Sequence, residues 1–294
     1  MSVIAAPTEA RKSDRPVSVA SPKKSVIGFL ANTVLVLIGA CFLLPLCWLI
    51  FASVDNKATY QTKFPEEFSL DNFAAVLTPE LTFLPLWNSL IISVGTAGIT
   101  IVAALLAAYP LSRYQARFNK PFMYGVLFAT GLPITAIMVP VYSLFVQFNL
   151  LDSIPGTILF MAASSLPIAI FMTKNFMDSV PVTLEEAAWI DGASAMGALR
   201  LIVVPLMRPG IAVVGIFVFF QAWGNFFVPF ILLLSPSKQP AAISIYSFFG
   251  QYGAIAYGQL AAFSLVYAVP AIVLYVLVSR GIGGSFALAG AVKG

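Results

Sequence analysis

Three carboxylates, Glu185, Glu186 and Asp191, fall within seven consecutive residues, enclose Ala187-Ala188 and lead into Gly192. Carboxylates at this spacing can ligate a hard cation, transfer protons, or pair with basic groups on a partner protein. The rest of the chain narrows these choices. There is no His anywhere, which removes His-based metal sites and His acid–base chemistry. No G-x-S-x-G, HExxH or Cys/His cluster occurs, and the apolar runs contain no paired carboxylates. Cys41 and Cys47 are six residues apart in one apolar run, about 9 Å along a helix, too far to bridge. With Asp178, the three carboxylates are the only acidic group of note on the inner segments.

The elements that must position these groups can be read directly. Leu184, Ala187, Ala188 and Asp191 share one helical stripe, with Glu185 and Glu186 beside it. Gly192 permits a sharp turn that a side chain would resist. Met196, Leu199 and Val203 then repeat at helical spacing up to Pro205. A helix–glycine–helix hairpin held between two apolar segments reads as a docking element.

Those segments belong to a membrane. Hydrophobic residues make up 60% of the chain and charged residues only 10%, far from the balance of a soluble domain. Charge-free stretches run 25–54, 81–112, 121–151, 153–173, 209–237 and 239–279. Each has at least the roughly 20 residues needed to cross the hydrocarbon layer. Pro240, Gly250, Gly253 and Gly258 place a loop at the start of the last stretch. The expected fold is all-α and polytopic, with six transmembrane helices near 27–52, 88–110, 122–145, 157–176, 210–234 and 259–279. Residues 1–24 read as a polar tail, 25–294 as the transmembrane domain, 178–209 as an inner loop and 280–294 as an inner tail. With the N-terminus inside, thirteen of the sixteen Lys and Arg residues lie on inner segments, while acidic residues divide evenly. This distribution predicts that both termini are cytoplasmic. The net charge of +4 is then a topology signal and implies no nucleic-acid partner.

The hairpin also carries a family pattern. Glu186-Ala187-Ala188, three residues, Gly192, nine residues, then Ile202, Val204 and Pro205 resembles the EAA loop of ABC-importer permeases, in which Leu usually stands at the place of Val204. Asp191-Gly192-Ala193-Ser194 is similar to the same loop. The run from Ala107 to Arg113 resembles that family's A-A-Y-A-L-A-R, with Pro110 as a departure. The ending Leu288-Ala289-Gly290-Ala291-Val292-Lys293-Gly294 resembles that of carbohydrate-uptake permeases similar to the maltose permease G subunit. Trp223-Gly224-Asn225-Phe226 departs from a W-N-[DE]-F pattern and lacks its acidic residue.

What the resemblance implies is a permease subunit of a binding-protein-dependent, ATP-driven importer for a sugar or related polyol, located in the cytoplasmic membrane and without enzymatic activity of its own. Its partners would be two ATPase subunits, a second permease subunit (a different chain), an extracytoplasmic solute-binding protein and membrane lipid. ATP and Mg would be held by the ATPases, and this chain would bind no cofactor or metal. Glu185, Glu186, Ala187, Ala188, Asp191, Gly192 and Ala193 would contact the ATPase, as would Gly290, Val292, Lys293 and Gly294 of the tail. Gln221, Trp223, Asn225 and Tyr267 are candidates for the translocation path; pairing between helices is the competing role for such residues. An ion-gradient-coupled transporter is the alternative function. The six runs contain no titratable carboxylate or His for proton coupling, although carbonyl oxygens could still hold sodium.

Overall fold

The computed structural model describes residues 22–65, 67–250 and 255–291, with side chains described from residue 29 to residue 280 of that set. In chain order the helices are α1 (Pro22–Ser53), α2 (Asp71–Val76), α3 (Leu84–Arg113), α4 (Asn119–Thr130), α5 (Ile134–Gln147), α6 (Ile154–Asp178), α7 (Thr183–Ile190), α8 (Ala195–Ala198), α9 (Val204–Leu206), α10 (Arg208–Trp223), α11 (Phe227–Leu232), α12 (Ala241–Ser244) and α13 (Tyr257–Ala291). Wider π-helical turns at Pro79–Phe83 and Leu199–Val203 lead into α3 and α9. Among the described residues the only strand-like pairings are two isolated bridges, so the all-α class holds.

The chain divides into two units, Met1–Trp48 and Leu49–Gly294. The first holds most of α1, an apolar helix whose side chains from Phe29 to Leu46 are largely exposed, as suits a helix surrounded by lipid. The second unit is built around α3 and α6. Ala97, Ala104 and Ala108 on α3 and Ala162 and Ala169 on α6 are buried, and small residues of this kind let membrane helices approach closely. The Thr100 hydroxyl donates to the Ala162 carbonyl across the pair. Helix α10 adds Val214, Val218 and Phe219 to the same core. A Cβ at Gly210 would come within 2.6 Å of Phe176 Cγ, so only glycine lets α10 begin so close to α6.

Four helices are long and apolar enough to cross a membrane: Phe29–Ser53, Pro79–Arg113, Ile154–Asp178 and Tyr257–Arg280. Six result if each of two bent pairs counts as one span. The first bend departs from the sequence expectation, whereas the second falls at the expected boundary between the inner loop and the next span. The run read as one helix over 122–145 is two, α4 and α5, meeting at 92°. Gly131 ends α4, and Pro133 is extended (ψ 128) where it caps α5. The residue before a proline is pushed out of the helical region, so Leu132 cannot carry α4 onward. In the run read as 210–234, α10 stops at Trp223 and Gly224 accommodates the chain end. The Asn225 side chain then accepts a hydrogen bond from the Val228 N–H and starts α11. The 80° bend lies further upstream, where Met207 separates Ala195–Leu206 from α10. At the far end, α13 stays helical through Ala291, beyond the expected boundary at 279.

Candidate functional site

The hairpin is assembled from local rules. Helix α7 ends in the hydrogen-bond pattern of a Schellman cap: Ala193 N–H donates to Ala188 C=O and Gly192 N–H to Trp189 C=O. That cap needs a left-handed residue after the helix, and Gly192 supplies it with φ 89°. Ser194 then caps α8, accepting from Gly197 N–H at 3.1 Å. The returning arm buries Leu199, Val203 and Met207 against Tyr109 of α3, Met177 of α6 and Val180. Its other face is open: Leu184, Ile190 (86% exposed), Met196 and Leu201 project outward, with exposed Glu186, Ala187, Asp191 and Gly192 between them. An exposed apolar patch rimmed by charge suits contact with a protein partner or a membrane surface.

One of the three carboxylates faces the other way. Glu185 is fully buried, accepting a 2.9 Å hydrogen bond from the Tyr109 hydroxyl and another from Arg113 Nε. Arg113, 3% exposed, also donates to the Val180 carbonyl and the Ser112 hydroxyl. Ser112 donates in turn to Asp178, which pairs with Lys174. Glu185 therefore fixes the hairpin to the end of α3, and is withdrawn from any surface a partner could touch in this conformation. Sequence reasoning grouped Glu185 with the outward residues. No local periodicity marks it as inward, because its Arg113 partner lies 72 residues away in sequence.

The path candidates separate. Gln221 and Asn225 meet at a cavity of about 130 Å³ with Ser164 and Ser165, and Gln221 also borders a cleft of about 540 Å³ beside Thr130 and Pro167. Trp223 and Tyr267 instead belong to a packed aromatic column. Trp223 stacks between Phe219 (5.5 Å) and Tyr267 (5.4 Å), and the Tyr267 hydroxyl donates to the Trp223 carbonyl. Gly290 lies on α13, and the other three tail residues, Val292, Lys293 and Gly294, lie outside the described residues.

The opposite ends of α3 and α6 carry a second polar tie. Asp152 has φ 57°, a left-handed conformation that Asp tolerates, and its carboxylate accepts from the Leu234 and Ser235 N–H groups, the Ser235 hydroxyl and Lys238 Nζ (2.8 Å). Asn88 donates to the Ser237 and Gln239 carbonyls, and the Ser89 hydroxyl accepts from Ala241 N–H. The Lys238 ammonium, followed by the Ser235 hydroxyl and N–H, holds the Asp152 carboxyl well below the usual carboxylate range. A depressed carboxylate stabilises the fold above its unfolded value and loses that contribution as pH falls toward the folded value. Protection of the Leu234 and Ser235 amides from hydrogen exchange is therefore expected to hold from pH 7 to about 5. It should decline below about pH 4, the ordinary Asp value. Unchanged protection at pH 2 would show that the carboxylate charge does not hold this tie.

Comparison with known proteins settles the lineage. Residues 99–283, well over half of the chain, match the family of binding-protein-dependent transport system inner membrane components. The chain belongs to this family. It is a multi-pass permease of an ABC importer, and the ion-gradient alternative has no support. The permease is 29% identical over 270 residues to the sulfoquinovosyl glycerol transport system permease protein SmoH of Agrobacterium fabrum, covering 90% of this chain and 93% of that protein. It is 30% identical over 256 residues to the trehalose transport system permease protein SugB of Mycobacterium tuberculosis, covering 86% and 93%. Its fold matches a chain of a bacterial ABC transporter involved in import of the acidic polysaccharide alginate, with TM-score 0.77 and 20% identity, over 90% of this chain and 99% of that one.

Proposed function

We propose that this permease forms one half of the membrane path of an importer for a carbohydrate or related polyol, driven by two cytoplasmic ATPase subunits. The single observation that carries this reading is the open apolar face of the hairpin, set on a glycine turn at the ends of α3 and α6. Exposed Glu186, Ala187, Asp191 and Gly192, with half-buried Ala188 and Ala193, would seat in an ATPase cleft, while Glu185 keeps the hairpin attached. The tail residues Gly290, Val292, Lys293 and Gly294 would add a second ATPase contact. ATP and Mg would stay on the ATPases, and both termini would lie in the cytoplasm, as the Lys and Arg bias supports.

Closure of the ATPase pair would pull the hairpin, and the packed α3–α6 core would carry the displacement as a rigid body. Alternating access then follows as a shift between two arrangements of the spans. Gln221 and Asn225 offer the donors and acceptors that sugar hydroxyls need. Sulfoquinovosyl glycerol, trehalose and alginate, named for the three comparison proteins, support the solute class. A second, different permease chain and an extracytoplasmic binding protein would complete the assembly.

The test is uptake by the assembled transporter in proteoliposomes with its binding protein. Labelled sugar uptake should survive collapse of proton and sodium gradients and stop when internal ATP is depleted. Uptake that follows an ion gradient without ATP would refute the reading.

A further inference from the structure

A second site lies apart from both the hairpin face and the Gln221 cavity. The last turn of α3, the segment 114–118, the start of α4 and the end of α6 enclose a cleft of about 910 Å³. One wall is basic: Arg117, Lys120 and Lys174 line it against a single carboxylate, Asp178, which Lys174 already engages. Among the described residues no carboxylate pairs with Arg117 or Lys120; Arg117 lies only over the Phe118 ring, 5.1 Å from its centre. The other wall is apolar, formed by Met123, Leu127 and Phe171 with Tyr124, which is 70% exposed. Met123 and Leu127 are one helical turn apart, so this wall leads away from the basic mouth along α4.

We propose that this cleft seats an anionic glycerophospholipid, with its phosphate at Arg117 and Lys120 and an acyl chain along Met123, Leu127 and Phe171. Three observations point to an amphiphile. Two cations without a carboxylate partner among the described residues suit an anion. The apolar wall is continuous with that basic mouth. The cleft sits at the ends of two spans, Pro79–Arg113 and Ile154–Asp178, where headgroups lie. A soluble anion would satisfy the cations and leave the apolar wall exposed. A protein partner would have to bring acidic groups to headgroup depth.

The experiment uses the whole transporter, reconstituted in nanodiscs of equal parts phosphatidylglycerol and phosphatidylcholine, then released for native mass spectrometry. Wild type should retain phosphatidylglycerol over phosphatidylcholine by about tenfold to thirtyfold, the scale expected when two basic residues each act near an anionic headgroup. Arg117→Gln/Lys120→Gln should reduce that preference to near unity while the subunit complex stays intact. If the double variant fails to assemble, Lys120→Gln alone should lose at least threefold of the preference. A photoreactive phosphatidylglycerol should label Met123 or Leu127 in wild type. Equal retention of both lipids by wild type and variant would overturn the proposal. So would thermal stabilisation by inorganic phosphate alone equal to that by phosphatidylglycerol, or labelling of these residues by a neighbouring subunit in place of lipid.

Discussion

Glu185→Ala is expected to loosen the hairpin from the spans at a cost of about 3–5 kcal/mol, the range for removing one partner of a buried ion pair. The magnitude follows from what remains behind. Arg113 is 3% exposed and would stay charged, with the Val180 carbonyl and the Ser112 hydroxyl as its remaining partners and no counter-ion in contact. The Tyr109 hydroxyl would lose its acceptor as well. Glu185→Gln should cost less, since it keeps the shape and an acceptor oxygen. Replacing both partners, as in Arg113→Met/Glu185→Met, should recover much of the loss, because a buried pair exchanged for apolar groups of similar volume is often neutral. Thermal unfolding in detergent, together with proteolysis between 178 and 209, measures all three variants. A double variant as unstable as Glu185→Ala would show that the charge pair is not the cause.

Gly192→Val should act through the backbone alone. A Cβ placed there meets nothing within 4 Å, so crowding contributes no penalty. The cost lies in φ 89°, a region where a β-branched residue is a strong outlier, on the order of 1–3 kcal/mol. The turn would relieve this strain by changing the angle between α7 and α8, which would move the exposed face away from its proposed ATPase contact. The expected result is normal membrane insertion and near-normal ATP hydrolysis, with sugar uptake per ATP reduced at least tenfold. Gly192→Asn should be milder, because Asn visits left-handed conformations more readily. Binding-protein-stimulated ATPase activity and uptake measured on the same proteoliposomes decide the matter. An unchanged ratio in Gly192→Val would remove the turn from the coupling mechanism.

Several parts of this fold were legible in the residues. Charge-free runs located the long helices, and Gly192 between two helical stripes located the hairpin. The breaks were harder to see, because proline in this chain has two outcomes. Pro45, Pro110, Pro140, Pro167 and Pro270 all sit inside helices. Pro133 instead stands outside them as the cap of α5, and Gly131 closes α4 a single residue before the position that proline restricts. Membrane helices tolerate proline where neighbours satisfy the freed backbone, and that depends on packing that no local window contains. The inward turn of Glu185 was hidden for the same reason: Tyr109 and Arg113 reach it only after α3 and α6 have docked. Trp223 and Tyr267 illustrate the converse, as aromatic residues suited to a sugar path that the fold uses to stack against each other.

The ties at the two ends of α3 and α6 have a mechanical consequence. Near Arg113 the two helices are joined by Ser112 to Asp178, and Arg113 reaches the Val180 carbonyl just past α6. At the far ends, Asn88 and Asp152 both anchor to the segment 234–239. Two rods pinned at both ends form a closed frame that resists shear. On the proposed coupling role, force arriving at the hairpin would be absorbed where the framework is interrupted, at 131–133 and 224–226. Asn225 stands at one of these joints beside Gln221, so the compliant points of the frame and the polar groups suited to a solute coincide.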